Sequence, residues 1–183
     1  MAVYTKINKK DISFINKKFE IEKILSFKGI KQGIENTNYL LRSKNKKFIL
    51  TIFEKRVSQN EIPFFMKLMD QLNNYKINCP KPQKNKNGNY LIRIRKKSAC
   101  IVSFLEGKDK KLLNLKNCHA IGKMIAGMHL STKKINLSRK NSMGIRYLNP
   151  LLNSIKFKSK KFTNIEKFLK INFKDIKMKW PKK

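Results

Sequence analysis

The chain has few of the residues that several specialised classes of protein require. No apolar run approaches the ~20 residues that cross a bilayer, and residues 1–10 contain no apolar core of a signal peptide. Cysteine occurs only as Cys79, Cys100 and Cys118, an odd number without metal-ligand spacing. The sequence therefore argues against a membrane partner, a disulfide scaffold and a metal site built from cysteines. We expect a cytoplasmic protein with reduced thiols.

Acidic residues and arginine are also scarce. The 183 residues include 11 acidic and 44 basic side chains, with a formal net charge of +33, and only six of the basic residues are arginine. Proteins that read nucleic acid favour arginine and cluster their charge on one face. The lysines here are spread along the chain among many Asn, Ile and Phe residues, whose codons are all AT-rich, so codon bias explains the charge. We expect no specific nucleic-acid partner. The alternative, a basic nucleic-acid-associated protein, requires sequence-specific DNA affinity at physiological salt.

The apolar pattern in the first part of the chain is that of strands around one helix. Hydrophobic residues make up 40% of the chain, enough for a packed core. The helix is predicted to begin with a capping box of Ser58 and Glu61, to tolerate Pro63 and to bury a stripe that includes Phe65 and Leu72. Asn87-Gly88 is a strong hairpin signal. Strands are predicted at residues 24–30, 38–43, 47–54, 90–95 and 99–105, and the third is apolar on both faces, which favours a central position.

The pattern becomes helical after Glu106-Gly107. Cys118, Ile121, Ile125 and Met128 form one stripe of a helix that starts near residue 115. Further helical pieces are predicted at residues 148–155 and 164–171. This order predicts an α+β fold of the protein-kinase-like type. Residues 1–105 would form an amino-terminal antiparallel sheet lobe with one helix, and residues 106–183 a hinge and the first helices of an incomplete helical lobe.

The turn between the first two strands could bind phosphates. Gly29 and Gly33 bracket it, and Asn36 and Asn38 belong to its polar tip. Glycines let the backbone approach a ligand closely, and exposed N–H groups suit anionic oxygens. An ordinary hairpin is the alternative.

The third strand lies where a protein kinase places the lysine that holds the nucleotide phosphates. The residue facing the cleft here is Thr51, and Lys55 follows the strand end. Lys55 could pair with an acid of the following helix, either Glu61 or Asp70. It could equally be one more solvated lysine.

The last strand runs into the predicted hinge, where Ser103, Phe104 and Leu105 could offer backbone groups to an adenine edge. A plain apolar strand and turn is the alternative. His119 and His129 have no serine, cysteine or carboxylate at a suggestive spacing, so neither is assigned to catalysis.

These segments together resemble the homoserine kinases of the aminoglycoside-phosphotransferase-like superfamily. The likeness covers nearly the whole chain and weakens after residue 145. The segments that carry it are residues 1–5 (MAVYT), 25–30 (LSFKGI), 33–41 (GIENTNYLL), 48–51 (FILT), 54–57 (EKRV), 63–65 (PFF), 101–107 (IVSFLEG) and 128–130 (MHL).

The resemblance implies a kinase that uses ATP and Mg²⁺ to phosphorylate L-homoserine to O-phospho-L-homoserine in threonine biosynthesis. The superfamily's His-x-Asp-x-x-x-x-Asn segment, which supplies the base and a metal ligand, is absent. Only Glu166 and Asp175 are acidic after His129, so no catalytic or metal-binding residue is assigned. Because Trp180-Pro181 resembles the family segment just before that loop, we expect an incomplete or inactive copy, through truncation, frameshift or gene decay. The alternatives are a nucleotide-binding pseudokinase remnant and a sibling kinase for another alcohol, such as an aminoglycoside or choline.

Overall fold

The computed structural model describes residues 3–54, 58–107, 110, 112–140, 150, 167 and 171–172. The chain divides into two compact units, residues 1–137 and 138–183, and the elements bounded below lie in the first. In the second unit Pro150, Lys167 and Ile171 are helical, while the rest of the pieces predicted at residues 148–155 and 164–171 lies outside the described residues. The predicted lobe boundary after residue 105 stays a prediction.

The first unit is built on one antiparallel sheet. Its strands are β1 (Ser26–Gly29), β2 (Thr37–Arg42), β3 (Lys47–Ile52), β4 (Leu91–Ile94) and β5 (Lys97–Ser103). Their order across the sheet is β1-β2-β3-β5-β4. The five predicted strands are therefore confirmed, with ends that differ by a few residues, and β3 is central as its two apolar faces predict.

Each face of the sheet is covered by a helix. On one face α1 (Lys9–Lys18) buries Ile12 and Ile15 against a cluster that includes Leu50 of β3. On the other face α2 (Ile62–Asn74) buries Ile62 and Met66 against Cys100 and Val102 of β5. Sheet and helices thus form two apolar layers on either side of the strands.

The helix α1 corrects the expectation of a single helix in this lobe. Its sequence is mostly polar and lysine-rich, so its apolar residues form too narrow a stripe to stand out. The signal that could have revealed it is the capping box: the Asn8 side chain accepts hydrogen bonds from the Lys10 and Asp11 amides, and the Asp11 carboxylate accepts the Asn8 amide.

The start of α2 also differs from the expectation. Glu61 is the N-cap, its backbone is already helical, and its side chain makes no capping hydrogen bond. The Glu61 amide donates to the Ser58 carbonyl at 2.9 Å. Residues 58–61 therefore form a turn, and the predicted capping box is wrong. Pro63 lies in the first turn as predicted, since its missing N–H costs nothing there.

The Asn87-Gly88 signal forms a tight turn, in which the Gly88 amide donates to the Asn85 carbonyl at 2.8 Å. This turn does not join two of the five strands. The β4–β5 hairpin is closed instead by Arg95 and Lys96, whose φ angles are 51° and 65°. Two such angles are typical of a type I′ turn, which usually takes Asn and Gly.

The predicted helix after the hinge is confirmed as α3 (Leu115–Thr132), with Asn114 as its N-cap. None of its side chains is buried, and the predicted stripe residues Ile121 and Ile125 are each 41% exposed. Within the described part of the chain, no helix combines the length and the apolarity that crossing a membrane would require.

Candidate nucleotide site

Within β2 and β3 the sheet has one buried face and one half-exposed face. Along β2 and β3, alternate side chains such as Tyr39 and Leu50 are buried beneath α1. The residues between them, including Asn38 and Thr51, are half-buried on the opposite face, the one that carries α2. Along these two strands a ligand can therefore reach the sheet from the Asn38 side.

Two of the predicted site residues meet on this half-exposed face. Asn38 and Thr51 are partners across β2 and β3, and the Thr51 hydroxyl donates a hydrogen bond to Asn38 Oδ1 at 2.8 Å. Because this bond occupies the amide oxygen, it orients the Asn38 amide group and its two N–H donors. A neutral polar pair thus lies on β3, the third strand, and a protein kinase carries its phosphate-binding lysine on its own third strand.

The predicted phosphate loop connects β1 and β2 and is exposed from residue 31 to 35. Gly33 has a φ of +100° and open space around it, so the turn needs a residue that accepts the left-handed region. Glycine is required at position 29 for a different reason. A Cβ there would lie 2.9 Å from Val3 Cγ2, and the glycine therefore admits the amino-terminal segment.

The carboxyl-terminal end of this loop is held by Glu54, two residues after β3. Asn36 Oδ1 accepts a hydrogen bond from the Glu54 amide at 3.3 Å. The Glu54 carboxylate in turn accepts hydrogen bonds from the hydroxyls of Thr5 and Thr37, both at 2.7 Å, and an ion pair from Lys97. The sequence reasoning assigned none of these three partners, since threonine and lysine without a motif carry no distinctive signal.

This cluster keeps Glu54 ionised. Burial alone would raise the pKa of the Glu54 carboxyl, but the hydrogen bonds from Lys97, Thr37 and Thr5 outweigh it, so that its pKa lies below the ordinary 4.5. The ionised Glu54 carboxylate is therefore bound by donors of the protein itself.

At the predicted hinge, two of the three proposed backbone donors already have protein acceptors. The Ser103 amide donates to the Lys81 carbonyl at 2.9 Å, and the Phe104 amide donates to the Lys47 carbonyl at 3.2 Å. The Leu105 amide has no acceptor among the residues that the structure describes. Of the three N–H groups, that of Leu105 is therefore the one that no described residue binds.

Lys55 lies outside the described residues, so its predicted pairing with an acid stays a prediction. Of the two candidate acids, Asp70 accepts a hydrogen bond from the Tyr90 hydroxyl at 2.8 Å. Burial and this bond raise the pKa of Tyr90 to about 12. Glu61 lies at the N-cap of α2.

The described residues do not fit a magnesium ion. Residues 3–54, 58–107 and 112–140 contain no group of three or more His, Cys, Asp or Glu side chains that could hold a metal. Near the site, Glu54 is bound by Lys97, and Glu106 pairs with Lys47 at 2.7 Å. The Mg²⁺ that the resemblance implies therefore has no ligand set here.

Comparison with known proteins gives consistent results. Residues 26–153 match the family model "Phosphotransferase enzyme family". The homoserine kinase of Rhodopseudomonas palustris (strain BisA53) is 38% identical over 146 residues, which are 80% of this chain and 45% of the relative. That of Nitrobacter winogradskyi is 34% identical over 182 residues, or 99% of this chain and 56% of the relative. The chain thus spans about half the length of the curated relatives it matches.

Solved structures share the fold. A crystal structure of spectinomycin phosphotransferase in complex with ADP and spectinomycin has a TM-score of 0.57 at 12% identity, covering 95% of this chain and 56% of that one. A microcompartment-associated aminopropanol kinase has a TM-score of 0.60 at 13% identity, covering 78% and 48%. The predicted α+β, kinase-like fold is confirmed, and the chain belongs to the phosphotransferase enzyme family.

Proposed function

We propose that this chain is the nucleotide-binding part of a homoserine kinase, an enzyme that transfers phosphate from ATP to the hydroxyl of L-homoserine in threonine biosynthesis. The observation that carries the proposal is the identity of 34–38% to proteins named homoserine kinase, over as much as 99% of this chain. The cytoplasm, where ATP is available, is the proposed location.

The geometry supports ATP as the ligand. Thr51 pairs with Cys100 of β5, and Leu105 lies five residues further along the chain, about 17 Å for extended backbone. A base at the Leu105 amide would place the phosphates near Asn38, Thr51 and the predicted phosphate loop between β1 and β2. The spectinomycin phosphotransferase of the same fold was solved with ADP and also with AMP.

The proposed division of labour follows from the residues present. Loop amides and the Asn38 amide group would orient the phosphates, and positioning of this kind supplies much of the catalysis of phosphoryl transfer. The sequence holds no His-x-Asp-x-x-x-x-Asn segment, and loss of a general base alone costs ~10²–10⁴-fold in rate. We therefore expect this chain to bind ATP and to transfer its phosphate slowly or not at all.

The test is a titration of the 183-residue chain with ATP, with and without Mg²⁺, followed by a coupled ADP-release assay. L-Homoserine, choline and spectinomycin serve as alternative acceptors. Saturable ATP binding supports the proposal, and any turnover should require L-homoserine. No saturable binding contradicts the nucleotide site, and turnover with choline or spectinomycin alone would identify a sibling kinase instead.

A further inference from the structure

The amino-terminal segment, residues 3–7, lies on the α1 face of the β1–β2 hairpin, and we name it the strap. The amides of Tyr4 and Thr5 both donate to the Thr37 hydroxyl, at 2.9 and 3.1 Å. The Tyr39 hydroxyl donates to the Thr5 carbonyl at 3.0 Å and accepts the Ile7 amide at 3.3 Å. The strap is therefore bound to β2 by hydrogen bonds between its own backbone and the side chains of Thr37 and Tyr39.

The strap also contacts the glycine loop, residues 29–36. Val3 packs against Gly29 at the start of the loop, where even a methyl group would clash. The Tyr4 hydroxyl donates to the Ile34 carbonyl near the tip at 3.0 Å. The loop thus has an anchor at its start and another at its tip, both from the face opposite Asn38 and Thr51.

Glu54 connects the strap to the sheet. One carboxylate oxygen accepts the hydroxyls of Thr5 and Thr37, and the other binds Lys97, which also donates to the Thr5 hydroxyl at 2.8 Å. Thr37 is fully buried and Thr5 is 7% exposed. Because the Glu54 amide also holds Asn36, one residue joins strap, sheet and loop.

We propose that the strap and its lock on Glu54 order the glycine loop for the nucleotide phosphates, so that Tyr4, Thr37 and Glu54 are positioning residues that never touch the ligand. The proposal rests on the proposed nucleotide site. A free loop of exposed residues loses conformational entropy when it closes on a ligand, about 1–2 kcal/mol for each residue fixed. Contacts that order the loop beforehand remove part of that cost and raise affinity.

The experiment compares two tyrosine-to-phenylalanine variants of the full chain. Tyr4→Phe removes the bond to Ile34 from a side chain that is 55% exposed, so the fold should persist. Tyr90→Phe is the matched control, because it removes a tertiary hydrogen bond to Asp70 on α2, away from the loop. Thr37→Val is the stronger third variant.

Two measurements are made on each protein. Amide hydrogen exchange of residues 30–36 reports the order of the loop without ligand. Dissociation constants for ATP and for adenosine separate the contribution of the phosphates from that of the base. A general structural defect would weaken the binding of both ligands. We expect faster loop exchange and about tenfold weaker ATP binding for Tyr4→Phe and Thr37→Val, with adenosine affinity unchanged. Tyr90→Phe should match the wild type.

Unchanged loop exchange in both Tyr4→Phe and Thr37→Val would overturn the role of the strap. Faster exchange in these two variants with unchanged ATP affinity would also overturn it. A wild-type chain that binds neither ATP nor adenosine overturns the proposed function. In that case the exchange rates alone still decide whether the strap orders the loop.

Discussion

Replacing Thr37 with valine keeps the shape of the side chain and removes its hydroxyl. That hydroxyl uses its full capacity, since it accepts the amides of Tyr4 and Thr5 and donates to Glu54 at 2.7 Å. A buried N–H without an acceptor costs about 1–3 kcal/mol, and a hydrogen bond to an ionised group contributes about 1.5–3 kcal/mol. Because Tyr4 is largely exposed, its amide can bind water. We expect a total loss of about 3–5 kcal/mol in the free energy of unfolding.

The assay is urea unfolding followed by circular dichroism, with Thr51→Val as the matched control. Thr51 is also a threonine of the same sheet, but it is half-buried and makes one side-chain hydrogen bond, to Asn38. Its replacement should cost about 1 kcal/mol or less. If Thr37→Val destabilises the chain no more than Thr51→Val does, the network around Glu54 does not hold the strap, and the reasoning is refuted.

Three further predictions concern acid stability, a helix end and thiol reactivity. Because the pKa of Glu54 is lower in the folded chain than its ordinary 4.5, its stabilising effect is full above that value and is lost as the pH falls through the folded pKa. Urea midpoints between pH 7 and pH 3 should therefore fall less steeply for Glu54→Gln than for wild type. Lys76 has a φ of 58° just after α2. Lys76→Gly should therefore raise the free energy of unfolding by about 0.5–1 kcal/mol, whereas Lys67→Gly inside the helix should lower it by about 1 kcal/mol. Equal effects of the two variants in urea unfolding would contradict this reasoning. Burial raises the pKa of Cys100 to about 12, so Ellman's reagent should label the exposed Cys118 in the native chain and leave Cys100 unmodified until the chain unfolds.

The strands could be predicted from the sequence because their signal is local. The alternation in residues 47–54 indicates both the strand and its central place, and the family segments add the connection order. The polar tip of the loop and Thr51 could be singled out in the same way, since each follows from its place in a strand or turn.

The network behind the loop could not be predicted, because its members are distant in the sequence. Thr5 and Glu54 are 49 residues apart, and Lys97 lies a further 43 residues on. No periodicity links such residues, and only the antiparallel register of the sheet brings them together. Gly29 illustrates the same limit: the sequence indicates a permissive residue, but only the packing shows that Val3 is the reason.

The two outer strands of the sheet give the excess of lysine a physical consequence. Unpaired strand edges invite pairing with other chains, and positive side chains on them discourage it. Among the described residues, neither β1 nor β4 pairs with a further strand on its outer side. Lys28 on β1 and Arg93 on β4 are both exposed, so each of these edges presents positive charge to a second copy that carries the same sign. Salt shortens the range of this repulsion from about 10 Å at 0.1 M to about 3 Å at 1 M. Concentrated salt should therefore promote edge-to-edge association of this chain, and dilute buffer should keep its copies apart.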